Sequence, residues 1–140
     1  MRKLFKYGFS INNMKEGYYK GLYLVGALYD LILGFGFLLF YKLIYNVLGM
    51  NLPSNPAYLS MCAMMIGIYG ILLFMIYQDP KASRKMIIYS SLIKFGFVAV
   101  VLYYWFFMGA SYVDMPFRIL GGVDLIFGLL FLGSLKFAKK

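Results

Sequence analysis

The sequence predicts an all-α integral membrane protein, a four-helix bundle with both termini in the cytoplasm. Of its 140 residues, 63% are hydrophobic, and the mean hydropathy is +0.77, which is typical of membrane proteins rather than of water-soluble globules. Four apolar segments each come close to the ~20 residues that a bilayer core requires. Basic residues gather before the first segment, between the second and the third, and after the fourth. The chain is therefore predicted to be a single transmembrane domain over residues 1–140.

The four helices are predicted at residues 20–45, 57–77, 86–108 and 118–135. Stretches with turn chemistry, GMNLPSNP, QDPKASRK and GASYVDMP, separate them. Pro56 and Pro116 stand just ahead of the second and fourth helices, where a missing N–H costs least. Residues 1–19 mix basic and aromatic side chains without enough apolar length to span a bilayer. We expect them to form an interfacial arm on the cytoplasmic surface.

The positive charges predict the orientation of the helices. One side of the predicted bundle would carry Arg2, Lys3, Lys6, Lys15, Lys20, Lys81, Arg84, Lys85, Lys136, Lys139 and Lys140. The other side would carry only Lys42 and Arg118. Because basic residues favour the cytoplasmic side, both termini are predicted to be cytoplasmic.

Three ionisable side chains lie inside the predicted spans: Asp30 in the first helix, Lys94 in the third and Asp124 in the fourth. Such a group would cost ~2.5–3.5 kcal/mol if it faced lipid, so we expect all three to face the interior of the bundle. At a rise of ~1.5 Å per residue they lie ~15, ~12 and ~18 Å from the cytoplasmic ends of their helices. One buried polar cluster near the midplane is therefore predicted.

Small residues flank the predicted cluster and would let helices approach closely. Gly26 and Gly34 lie one turn before and one turn after Asp30, and two glycines flank Asp124 in a similar way. The second helix has no charge but carries a stripe of small residues and a candidate hydrogen-bond donor, Tyr69. The helix-packing residues predicted on this basis are Gly26, Gly34, Gly67, Gly70, Gly121 and Gly128.

The charge of the cluster leaves two interpretations open. Two carboxylates and one ammonium would leave it at minus one if all were ionised, which an apolar interior disfavours. In the first interpretation, Lys94 pairs with one aspartate while the other is a neutral acid, and the cluster only fixes the order of the helices. In the second, the cluster binds a proton, a cation or a polar headgroup, with Asp30 and Asp124 as the binding groups and Lys94 as their counter-ion.

Other charged residues are predicted to have interfacial roles. Asp114 and Arg118 are expected to form an interfacial pair at the start of the fourth helix. Anchors for lipid headgroups are predicted at Lys81, Arg84 and Lys85. Cys62 is expected to be a small packing residue, because an apolar setting disfavours the reactive thiolate.

Composition excludes several classes of function. With no histidine and one cysteine, the chain lacks the usual ligands of zinc and haem sites and the usual catalytic triads. We expect no metal and no cofactor. The net charge of +9 is explained by basic residues at helix ends, which favour anionic lipid headgroups as a partner, and no nucleic-acid partner is expected.

The layout of the chain resembles that of small bacterial four-helix membrane proteins of the DoxX-like kind. The similarity lies in GLYLVGALYDLILG opening the first helix, a tight basic turn before the third, a lysine inside LIKFG, and GGVDLIFGLLFL in the fourth. Some proteins of that kind are associated with quinone-linked oxidoreductase complexes. The resemblance therefore implies an accessory subunit of the bacterial inner membrane rather than a free-standing enzyme.

Three functions are expected from these observations. The first is a non-catalytic accessory or assembly subunit that packs against other membrane subunits or against a second copy of itself. The alternative is a small proton- or cation-coupled transporter or channel in which Asp30 and Asp124 take part. The third is a quinone-linked redox subunit, which would need a lateral cleft lined by aromatic side chains and ending at a polar group.

Overall fold

The computed structural model describes the backbone of residues 2–138 and the side chains of residues 15–138. Its long helices are α1 (Arg2–Val47), α2 (Pro56–Gln78), α3 (Arg84–Tyr103) and α4 (Met115–Ser134). A π-helical turn, Tyr104–Met108, and a 3₁₀ turn, Ala110–Tyr112, connect α3 to α4. Each of the four helices is long and apolar enough to cross a membrane. The described chain is thus all-helical with four candidate membrane spans, as predicted.

The first helix is longer than the sequence pattern indicated. It begins at Arg2, so the backbone of the predicted arm continues directly into the first apolar segment. The side chains of residues 1–14 lie outside the described residues, and the place of the arm at a membrane surface stays a prediction. Near its other end α1 kinks at Phe40, whose backbone angles are φ −125° and ψ 21°.

A polar cap and a proline set where α2 begins. Asn55 accepts a hydrogen bond from the Ala57 amide at 3.2 Å, and Pro56 is the first residue of α2, where it needs no hydrogen-bond acceptor. The short turn before α3 is closed by Asp79, whose side chain accepts a hydrogen bond from the Ala82 amide at 3.1 Å. Consecutive helices run antiparallel, because contacts at one end of the bundle join residues 15–20, the 79–83 turn and residues 135–138. We call this the basic end, and the opposite end the far end.

Helices α1 and α2 form a hairpin in which the two backbones touch. A Cβ added at Gly34 would lie 2.6 Å from the Gly67 Cα and 2.7 Å from the Ala63 carbonyl oxygen. A Cβ added at Gly70 would lie 2.8 Å from the Leu31 side chain. Side chains at these positions would push the helices apart, so the glycines are required for this approach.

Helices α3 and α4 form a second hairpin that uses glycine in a different way. A Cβ added at Gly121 would lie 3.2 Å from a Val101 methyl group, and one at Gly128 would lie 3.1 Å from the Phe95 ring. Here each glycine makes room for a bulky side chain of the facing helix rather than for its backbone. The predicted helix-packing glycines thus lie at helix contacts in both hairpins.

Aromatic side chains join the two hairpins towards the basic end. The ring of Tyr23, on α1, stacks on Phe131, on α4, with 4.8 Å between the ring centroids. The Tyr23 hydroxyl also forms a hydrogen bond with the Ser134 side chain. Both rings are fully buried, and they form the centre of the apolar core together with Leu73 and Ile87.

Candidate functional site

The three predicted ionisable residues meet in the middle of the bundle. The Lys94 ammonium donates hydrogen bonds to Asp30 Oδ1 at 2.8 Å and to Asp124 Oδ1 at 2.6 Å. Asp30 and Lys94 are each 2% exposed, and Asp124 is 8% exposed. We call these three residues the polar cluster. It links α1, α3 and α4, and therefore ties the two hairpins together.

The two glycines on either side of Asp30 contact residues outside the polar cluster. Gly34 faces α2, which carries no member of the cluster, while a Cβ at Gly26 would meet Phe131 and Leu73. On the other hairpin, a Cβ at Gly128 would lie 3.4 Å from Lys94 Cβ. Only this last glycine brings the backbone of a neighbouring helix close to a charged residue.

Aromatic rings surround the lysine. Its Nζ atom lies 5.1 Å from the ring centroid of Tyr29, 5.0 Å from that of Tyr69 and 5.8 Å from that of Phe127. Ring faces attract cations, and the attraction grows where water is excluded. The Tyr69 hydroxyl donates to the Ser90 carbonyl at 2.9 Å, so the sequence-based suggestion that Tyr69 is a hydrogen-bond donor agrees with this contact.

One oxygen of the cluster is left without a partner. Asp30 Oδ2 is buried and has no hydrogen-bond partner among the described residues, and the same is true of the Ser90 hydroxyl. A buried polar atom of this kind costs about 1–3 kcal/mol, and more when it is charged. If both carboxylates are ionised, they also leave the cluster one negative charge in excess over the single ammonium. A molecule that brought a hydrogen-bond donor to Asp30 Oδ2 would supply the hydrogen bond that this oxygen lacks.

A cavity of about 640 Å³ extends from the polar cluster towards the far end. This volume falls within the range of small-molecule sites in proteins. Apart from the cluster, its lining is almost entirely apolar and aromatic. The lining residues are Tyr29, Asp30, Leu33 and Phe37 of α1; Tyr58, Leu59, Cys62, Ala63, Met65, Ile66, Ile68, Tyr69 and Leu72 of α2; Ile93, Lys94 and Phe97 of α3; and Phe117, Leu120 and Asp124 of α4.

The cavity opens sideways between α2 and α3. Several lining residues of these two helices also lie on the outer surface of the bundle: Tyr58 is 69% exposed, Met65 is 67%, Ile68 is 51% and Ile93 is 48%. Cys62 also lines the cavity and is exposed, so it lies at the opening rather than in the packed interface predicted for it. The site is therefore an apolar cleft that is open to the surroundings of the helices and ends at a charged base.

Comparisons with protein-family models, with curated proteins and with solved structures found no match for this chain. The layout resemblance to DoxX-like proteins therefore stays a prediction. The functional interpretation depends on the geometry of the cluster and the cavity.

Asp114 and Arg118, both of which the structure describes, do not form the predicted ion pair with each other. Within the described residues, the Arg118 side chain donates to the carbonyl of Val113 at 2.8 Å and to that of Ala110, and it lies 5.1 Å from the Trp105 ring centroid. Asp114 precedes α4 in an extended conformation, φ −61° and ψ 150°. The four-residue spacing therefore does not place the two side chains on one helical face.

Two of the three predicted lipid anchors have partners within the protein. Lys81 forms an ion pair with Glu16, and Arg84 donates to the Leu135 carbonyl at 3.1 Å. Lys85 is exposed. These contacts tie α1 and the end of α4 to the turn between α2 and α3, and the contact of all three residues with lipid headgroups stays a prediction.

The cavity and its aromatic lining were missed by sequence reasoning. Phe37, Phe97 and Phe117 carry no signal that separates them from aromatic residues that face lipid, because the sequence contains 14 Phe and 14 Tyr. The position of Tyr29 next to Asp30 in the sequence was no signal either, because consecutive residues of a helix do not share a face.

Proposed function

We propose that this chain is a multi-pass membrane protein of the bacterial inner membrane with both termini in the cytoplasm. Its four candidate spans support insertion into a membrane. The excess of basic residues at one end supports the orientation, since basic residues favour the cytoplasmic side. In this orientation the cavity lies in the half of the membrane away from the cytoplasm and opens to the lipid.

Within that membrane, the protein is proposed to bind a lipophilic small molecule that has a polar head. The apolar body would lie in the cleft between α2 and α3, and the head would lie against the polar cluster. The observation that carries this proposal is that Asp30, at the base of the cavity, keeps a buried oxygen without a described partner. Apolar walls with few polar groups at one end are the usual design of a small-molecule site.

The proposal is compatible with the accessory subunit expected from the sequence. A four-helix subunit can hold a lipophilic molecule for a larger complex without being an enzyme. A lateral cleft, an aromatic lining and a polar base are also the features that a quinone site needs. Of the two redox forms of such a ligand, the quinol carries the hydroxyl donors that suit Asp30 Oδ2, so a quinol is one ligand of the proposed class. Proton- or cation-coupled transport is the second candidate, and the excess negative charge of the cluster favours it.

Photocrosslinking tests the proposal directly. The probe is a long-chain alcohol with a diazirine at the end of its chain, added to the protein in lipid nanodiscs. We expect saturable crosslinks to cavity residues of α2 and α3, since the probe has an apolar chain and a hydrogen-bond donor at its head. Mass spectrometry of the peptides locates the crosslinks.

Two tryptophan variants of α2 provide the matched comparison. Ile66 lines the cavity and is half-buried, so Ile66→Trp should fill the cavity and remove the saturable crosslinks. Met64 is 58% exposed and does not line the cavity, so Met64→Trp should leave them unchanged. Crosslinks spread evenly over the outer surface, with no effect of Ile66→Trp, would contradict the proposal.

A further inference from the structure

We propose that the head of the ligand is a protonated amine, which donates a hydrogen bond to Asp30 Oδ2 and balances the charge of the polar cluster. This inference rests on the proposed function and names the chemical class of its ligand. The ligands in question are primary or secondary amines that carry a long apolar chain or ring system. Three observations carry the inference: the charge of the cluster, the pattern of its hydrogen bonds and the aromatic base of the cavity.

The charge favours a cation over a neutral head. Asp30 and Asp124 share one ammonium, that of Lys94, and no other basic side chain forms an ion pair with either carboxylate within residues 15–138. An ammonium entering the cavity would bring the cluster and its ligand to neutrality. In a site that excludes water, this balance contributes more than it would at a surface.

The hydrogen-bond pattern leaves room for a second ammonium. Lys94 binds the Oδ1 atom of each aspartate. Asp30 Oδ2 is left without a described partner. A proton on this oxygen would also balance the charge, but it would create a buried hydroxyl donor that faces no described acceptor. An N–H of an amine supplies both the positive charge and the donor.

The aromatic residues suit the same chemistry. Tyr29 and Tyr69 line the cavity and already lie about 5 Å from one ammonium, that of Lys94. Ring faces stabilise ammonium groups without binding them as tightly as a second carboxylate would. A neutral alcohol would gain much less from these rings and would leave the excess charge in place.

Competition against the diazirine alcohol tests the inference in wild-type protein. The competitors are dodecylamine, dodecanol and dodecyltrimethylammonium, compared at equal mole fractions in nanodiscs of zwitterionic lipid. The amine carries charge and N–H donors, the alcohol carries a donor without charge, and the quaternary ion carries charge without a donor. We expect dodecylamine to displace the probe at about tenfold lower mole fraction than dodecanol, because both heads donate to the carboxylate but only the ammonium also carries the opposite charge.

Each outcome separates the inference from the proposed function. Displacement by dodecanol at the same mole fraction as dodecylamine would overturn the amine head while leaving a lipophilic ligand in the cavity. Displacement by the quaternary ion at the same mole fraction as the amine would overturn the hydrogen bond to Asp30 Oδ2. A probe that never forms saturable crosslinks in the cavity would overturn the proposed function itself.

The variant Asp30→Asn supplies a second test. It removes the carboxylate, so the preference for dodecylamine over dodecanol should disappear while probe crosslinking persists. Asp79→Asn is the matched control, because Asp79 lies in the turn before α3, and the asparagine oxygen can still accept from the Ala82 amide. An unchanged preference in Asp30→Asn would overturn the inference, and the competition in wild-type protein decides the matter if this variant does not fold.

Discussion

The two sides of α2 differ sharply. On the side that faces α1, the backbones touch, because Gly34 and Gly67 carry no side chains between them. On the side that faces α3, large side chains hold the helices apart and enclose a cavity of about 640 Å³. Small residues therefore make one interface of α2 close-packed, whereas the other interface has fewer packing contacts and contains the cavity. One face of α2 is therefore a packing surface for α1, and another face lines the cavity.

The polar cluster joins the neighbours of α2 on its two sides. Asp30 is on α1 and Lys94 is on α3, so their ion pair joins the two helices that pack against α2. The close α1–α2 hairpin sets the position of Asp30. One oxygen of this side chain, Oδ2, is buried without a described partner.

The largest expected effect comes from breaking the closed side. Gly34→Leu would place a side chain against the α2 backbone, which cannot move aside without separating the helices. We expect a loss of more than about 3 kcal/mol in the free energy of unfolding, or loss of the folded protein. The yield of monodisperse protein and its thermal unfolding in detergent measure this effect.

Gly96→Leu is the control for that variant. A Cβ added at Gly96, on α3, would meet nothing within 4 Å. We expect this variant to unfold within a few degrees of wild type. Equal unfolding temperatures for the two leucine variants would show that the α1–α2 contact is not close-packed.

Removing the cation of the polar cluster is expected to have the next largest effect. Lys94→Met leaves two buried carboxylates without their ammonium and should cost about 3–5 kcal/mol. The single change Asp30→Leu should also destabilise the protein, because it leaves Lys94 poorly paired. Denaturant unfolding in mixed micelles measures both.

Neutralising the whole cluster separates its role in stability from its role in ligand selection. A triple variant, Asp30→Leu with Lys94→Met and Asp124→Leu, removes every charge together and should recover much of the lost stability. It should nevertheless fail to discriminate dodecylamine from dodecanol. A triple variant less stable than Lys94→Met would contradict this description of the charge balance.

The smallest expected effect concerns the open side. Tyr69→Phe removes the hydrogen bond from α2 to the Ser90 carbonyl of α3, which should lower the free energy of unfolding by about 1 kcal/mol. Tyr58→Phe, at a residue that is 69% exposed, should change it by less than about 0.5 kcal/mol. A loss in Tyr69→Phe as large as that in Gly34→Leu would remove the contrast between the two sides of α2.

The helices and the members of the cluster could be predicted from the sequence for a simple physical reason. Long apolar segments and the rare charges within them are visible in a single sequence, and the rise of a helix converts their positions into depths. Asp30, Lys94 and Asp124 could therefore be placed at a similar level from their spacing alone. Their mutual contacts agree with that placement.

The cavity could not be predicted in the same way. Its presence depends on how α2 and α3 cross and on which aromatic side chains point inward, and neither is encoded by a local pattern. The contacts of Arg118 were missed for a related reason, since its partners are backbone carbonyls of an irregular connection. The glycine stripe on α1 was visible, but the identity of the helix that Gly34 contacts was not.

A structure of the protein purified with its native lipids, without detergent exchange, would test the proposed ligand site most directly. We predict elongated non-protein density in the cleft between α2 and α3, with its polar end within hydrogen-bond distance of Asp30 Oδ2. A cleft closed by contact of α2 with α3, or a lipid chain whose head stays outside the bundle, would contradict the proposal.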